Sequence, residues 1–152
     1  MYTLFIAAIA LTLLAAQPAQ EKRRMKTATG SFEVKILPPA APAAPDDFVR
    51  LSIDKTFTGG MTGTSRVEML ASGDGKSPSA GYVAMERFTG KLDGKSGRFF
   101  MQHSGVMSPG SMEINVVISP GSGTDELSGI SGTLEIRREG KQHFYTLHYA
   151  LP

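Results

Sequence analysis

The pair Asp93-Gly94, set between two long runs of alternating polar and apolar residues, is the feature that most constrains this chain. An Asp-Gly step between extended segments favours a two-residue turn at positive φ, whose twist matches that of paired strands. Tyr82–Gly105, YVAMERFTGKLDGKSGRFFMQHSG, therefore reads as one long β-hairpin. A two-residue turn sets Leu92 opposite Lys95, Phe88 opposite Phe99, Glu86 opposite Met101 and Ala84 opposite His103. One face then carries Tyr82, Ala84, Glu86 and Phe88 beside Phe99, Met101 and His103. A carboxylate and an imidazole interrupt an otherwise apolar surface, diagonal to each other and within reach.

Part of this hairpin recurs. FTGKLDGKS (Phe88–Ser96) is matched by FTGGMTGTS (Phe57–Ser65), and LSGISGT (Leu127–Thr133) is a looser echo. Gly-punctuated tips between period-two runs predict a meander of antiparallel strands. GSFEVKIL puts Phe32, Val34 and Ile36 on one face; VRLSIDKTF does so with Leu51, Ile53 and Phe57, and SRVEMLAS with Val67, Met69 and Ala71. Bringing the last two sets to one face predicts that residues 57 and 69 pair, with residues 62–64 as the loop and Gly63 left-handed. Met112, Ile114, Val116 and Ile118 mark another strand, and TLEIRRE and KQHFYTLHYAL form the last two, joined at Glu139-Gly140. No run of 11 residues has amphipathic helical spacing. The expected fold is all-β, a closed antiparallel barrel of about eight strands, because closure removes the exposed edges of such a meander. Phe32, Val34, Ile53, Phe57, Val67, Met69, Ile114 and Val116 are its expected core.

The flanks are of a different texture. Leu4–Ala16 is an uncharged apolar run with small residues behind it, too short for a membrane span, and residues 1–19 read as a signal peptide. Residues 20–26 form a basic linker and 27–152 a single barrel domain, so the expected location is periplasmic or secreted, with no integral membrane domain after cleavage. Initiation at Met25, giving a cytoplasmic protein, and an uncleaved anchor are the alternatives. Three of the 16 Lys/Arg fall in residues 22–24, and beyond Met25 the charges balance. A neutral body has no electrostatic footprint for nucleic acid. The chain has no Cys, which excludes disulfides, thiolate metal sites and a lipid-anchored cysteine.

The loops name no chemistry. PPAAPAAP (Pro38–Pro45) is an extended spacer, because proline cannot donate to a ladder. GDGKSPSAG (Gly73–Gly81) lacks the strand-to-helix setting of a phosphate loop, and Ser119–Gly132 contains no G-x-S-x-G. His143 and His148 are five apart and point to opposite faces of one strand. No spacing suits a metal, and no cofactor is expected.

The order GSFEVK, RLSIDKTFTGGMTGTS, SAGYVAMERFTGKLDGKSGRFFMQHSG, SGTDELSGISGTLEI and HFYTLHYAL resembles a bacterial family of small proteins of unassigned function. Members of that family are similar in architecture to the allene oxide cyclase barrel. The resemblance spans roughly Thr27–Leu151 and implies a closed barrel of about eight strands with an internal cavity and no established activity. The Pro/Ala-rich connection and Asp125 depart from the family pattern. No motif matches the active-site residues of the plant cyclases, so none is carried over.

The candidate ligand-binding residues are thus Tyr82, Glu86, Phe99, Met101 and His103. The expected function is an exported barrel that holds a small, largely apolar ligand. The alternatives are an isomerase or cyclase acting on a small hydrophobic substrate, and a non-catalytic interaction protein with a filled barrel; a homo-oligomer stays open. Glu86, if inward, needs a partner, since a lone buried carboxylate costs several kcal/mol. His103 and then Tyr82 are the nearest candidates.

Overall fold

The computed structural model describes residues 23–38, 48–72 and 79–152. The signal-peptide reading, most of the Pro/Ala-rich spacer and most of the Gly73–Gly81 loop lie outside the described residues. Eight strands follow one another: β1 (Lys26–Ile36), β2 (Val49–Gly59), β3 (Met61–Ala71), β4 (Ala80–Leu92), β5 (Lys95–Ser108), β6 (Ser111–Ile118), β7 (Ser131–Glu139) and β8 (Gln142–Ala150). Each pairs antiparallel with the next, and β8 pairs back onto β1, closing the barrel. A single 3-10 turn, Asp125–Leu127, is the helical element among the described residues.

The central hairpin follows the register read from its turn. Asp93 and Gly94 both take positive φ, 47° and 84°, and Leu92 faces Lys95, Phe88 faces Phe99, Glu86 faces Met101 and Ala84 faces His103. The β2–β3 hairpin differs from expectation. Phe57 pairs with Gly63, not residue 69, and Met69 faces Leu51. The chain turns at Gly60, whose N–H donates to the Thr29 carbonyl while its own carbonyl accepts from the Asp93 N–H. Gly63 is a strand residue rather than a loop residue. It pairs with Gly90, and a Cβ on it would lie 2.4 Å from the Thr89 carbonyl oxygen. The Phe-Thr-Gly repeat thus places an inward ring beside a glycine that lets the neighbouring strand come close.

One end of the barrel is packed solid. Phe57, Phe88 and Tyr145 meet edge to face, Phe57 at 5.6 Å from each of the other two centroids, and Phe99 lies 5.2 Å from Phe88. Met61, Leu92, Leu127, Ile130 and Tyr149 close this end and are all buried. The tyrosine hydroxyls here are satisfied: that of Tyr145 accepts from the Met61 N–H at 2.7 Å, and that of Tyr149 donates to Asp93 Oδ2 at 2.7 Å. Strand β6 pairs only with Met101–Ser108 of β5. The connection after β6 folds back along the rest of that strand, with the Thr124 N–H donating to the Arg98 carbonyl and the Ser119 N–H to that of Phe100. This covers an edge that would otherwise template foreign pairing.

At the other end the described residues leave the rim uncovered. Of the expected core, Phe32, Phe57, Val67 and Val116 are buried, Ile53, Met69 and Ile114 are half-buried, and Val34 is 38% exposed. Val34 points inward by parity but lies near the rim, where no element among the described residues covers it, and Ile36 beyond it is more exposed still. Strands β6 and β7 join through one residue pair, Val117 with Thr133, and leave a cleft on the rim side lined by Met112, Ile114, Leu134 and Ile136.

Candidate functional site

All five residues read from the sequence face the barrel interior, on the alternate positions of β4 and β5. Glu86, Phe99 and Met101 have no exposed surface, His103 is buried, and Tyr82 is half-buried nearer the rim. Phe99 belongs to the packed half, in contact with Phe88. Tyr82 lies flat over Gly105, its partner across the ladder, where any Cβ would come 2.1 Å from the ring. That glycine is what lets an aromatic ring lie along the inner wall.

Glu86 is the centre of a polar cluster that includes two residues the sequence reading passed over. The Lys55 Nζ donates to Glu86 Oε2 at 2.6 Å, and the Ser65 hydroxyl donates to Oε1. Nε2 of His103 lies 2.8 Å from Oε2. The ring nitrogen does not meet hydrogen-bond geometry there, so Lys55 and Ser65 supply the carboxylate's directed hydrogen bonds. The Lys55 ammonium also sits 4.8 Å from the centroid of the Phe32 ring, a cation–π arrangement. Phe32 in turn stacks on His143 at 5.1 Å.

Lys55 and Ser65 were legible as inward positions. Lys55 follows Leu51 and Ile53 in the same alternation, and Ser65 precedes Val67 and Met69 in theirs. Burial alone pushes the Glu86 carboxyl up; the adjacent His103 imidazole and Lys55 ammonium overturn that and hold it at about 2. Glu86 is thus ionised, with both oxygens engaged. Burial, and then the Glu86 charge, push the Tyr82 phenol up, so it stays protonated as a hydrogen-bond donor.

Above the cluster, toward the rim, the inner wall is apolar and half-exposed: Leu51, Ile53, Met69, Ile114 and Ile136, with His143 on the β8 side. Among the described residues, the barrel interior thus carries an ion pair, a hydroxyl and an imidazole beneath a half-exposed apolar ring. His148 is on the outer wall, 3.2 Å from the Thr27 hydroxyl, and takes no part. Among the described residues no three His, Asp or Glu side chains are grouped to hold a metal ion.

The model of the family described as "Protein of unknown function (DUF3224)" matches residues 28–149. A crystal structure of a protein of unknown function from the same family, from Shewanella oneidensis MR-1, is 36% identical in sequence. The match covers 85% of this chain and 99% of that one, with a TM-score of 0.73. None of the curated proteins matches the chain. The all-β prediction, the closed eight-stranded barrel and the resemblance to a family of unassigned function agree with these findings. The chain belongs to the DUF3224 family.

Proposed function

We propose that the protein is an exported binding module whose rim end takes a small, largely apolar ligand. A polar group of that ligand is directed to Lys55, His103 and Tyr82, with Glu86, Phe99 and Met101 as the floor beneath. One observation carries this reading: a fully enclosed, ionised Glu86, partnered by Lys55, lies at the base of a half-exposed apolar ring. A buried ion pair adds little net stability compared with apolar residues of the same volume. Placed inside a concave apolar wall, it serves better to orient a ligand, and perturbed acids in clefts mark such sites. Binding is favoured over conversion because both Glu86 oxygens are already engaged by Lys55 and Ser65, which leaves the carboxylate no free oxygen to act as a base.

An anilinonaphthalene sulfonate probe tests the reading. The full chain is expected to bind it in the barrel interior, and Met69→Trp, which fills the rim, to weaken binding at least roughly tenfold, the loss of about 1.4 kcal/mol. Met85→Glu on the outer wall is expected to leave interior binding unchanged. Binding that ignores Met69→Trp and vanishes in Met85→Glu, or no binding at all, would refute the reading.

A further inference from the structure

The outer wall of β3–β6 departs from the polar-outward pattern of a barrel in water. Leu70, Val83, Met85 and Val106 are outward and 41, 57, 44 and 63% exposed, and Phe100 and Val117 are each 36% exposed. These residues are neighbours. Leu70 pairs with Val83, Val117 with Gln102, and Met85 with Gln102, and a depression joins Leu70, Val83, Met85 and Val117. Four adjacent strands contribute, so the patch is about 15 Å across at the usual strand spacing. Contiguous apolar surface of this kind marks a protein contact.

Glu68, beside Met85, is engaged by Ser52 and Arg66, and the charges at the two ends of the patch differ in sign. Arg87, opposite Phe100, and Arg98, two residues before it on β5, stand toward the packed end, while Glu113, opposite Val106, stands toward the rim. Among the described residues none of these three side chains is held in an ion pair.

We propose that this face binds a second copy of the chain, the two barrels packed wall to wall about a two-fold axis that lies in the interface and runs across the strands. Such an axis reverses strand direction. It sets the Arg87 and Arg98 end of one copy over the Glu113 end of the other, twice, and buries Met85 and Val83 near the middle. An isologous contact requires a patch complementary to itself, which a surface basic at one end and acidic at the other satisfies. A uniformly acidic or basic partner would leave one end unmatched.

Sedimentation velocity on the full chain at micromolar concentration tests this. A dimer is expected, with Val83→Glu/Met85→Glu monomeric at the same concentration and unchanged in its circular dichroism spectrum. Glu113→Arg is expected to weaken the dimer roughly tenfold or more by setting like charges together. Adding Arg87→Glu and Arg98→Glu to Glu113→Arg is expected to restore it. A wild-type monomer at every concentration, or a dimer that persists in Val83→Glu/Met85→Glu, overturns the proposal. Failure of the triple reversal to restore the dimer overturns the two-fold arrangement.

Discussion

Glu86→Leu is expected to destabilise the barrel by about 3–5 kcal/mol, the cost of stranding one member of a buried pair. Thermal unfolding followed by circular dichroism should fall by roughly 10–20 °C. The cost arises at Lys55, a residue only 8% exposed whose ammonium has Glu86 as its ionic partner. Adding Lys55→Met should therefore recover most of the loss, since an apolar pair fills the space without a desolvated charge. A harmless Glu86→Leu would mean that Lys55 reaches water at no cost and that the cluster is not one unit. The same group makes the barrel acid-sensitive. Folding lowers the Glu86 carboxyl from 4.5 to about 2, so its stabilisation is complete above the unfolded value and is lost as pH falls through the folded one. The shift corresponds to about 3 kcal/mol between roughly pH 5 and 2, a slope that Glu86→Leu should flatten.

Gly90→Ala should be as damaging, for a steric reason. A Cβ at Gly90 would lie 2.2 Å from the Thr62 carbonyl oxygen, 2.8 Å from the Gly63 Cα and 3.0 Å from the Phe88 ring. Two of these atoms belong to backbone in the adjacent strand and cannot turn away. Overpacking of this kind costs typically about 1–3 kcal/mol and more where backbone must move. Gly94→Ala is the control in the same hairpin, with nothing within 4 Å of the added carbon. Its cost is about 1–2 kcal/mol, set only by a positive φ at the turn. A melting temperature lower for Gly94→Ala than for Gly90→Ala would contradict the close approach of β3 and β4.

The contrast between those two glycines also explains what was legible. Asp93-Gly94 specifies its own turn locally, so the pairing of every residue from Tyr82 to Gly105 followed from it. The matching FTG segment misled, because Gly59, Gly60 and Gly63 offer three places to reverse the chain and local chemistry does not choose among them. The choice is tertiary: Gly60 is fixed by Thr29 and Asp93, from β1 and the next hairpin, while Gly63 is needed where Gly90 approaches. Parity was correct throughout, but parity fixes direction and not depth. Val34 points inward and is exposed because burial depends on how far each strand rises toward the rim, a property of the closed barrel.

The site was half legible for a related reason. Glu86 and His103 fall on one face of one hairpin, so a single register brings them together. Lys55 and Ser65 come from β2 and β3, and placing them beside Glu86 requires both neighbouring registers, one of which the repeat obscured. An inward Lys at position 55 was nonetheless a signal, since a buried ammonium needs a carboxylate and Glu86 was the inward one.

Native mass spectrometry of the full chain purified from its own host tests the binding reading most directly. The expected spectrum contains the polypeptide with one small organic molecule retained non-covalently, and Met69→Trp prepared in the same way should lack that added mass. A bare polypeptide mass for both, with no exchangeable small molecule after gentle desolvation, would contradict a barrel interior built around Glu86 and Lys55 to hold a ligand.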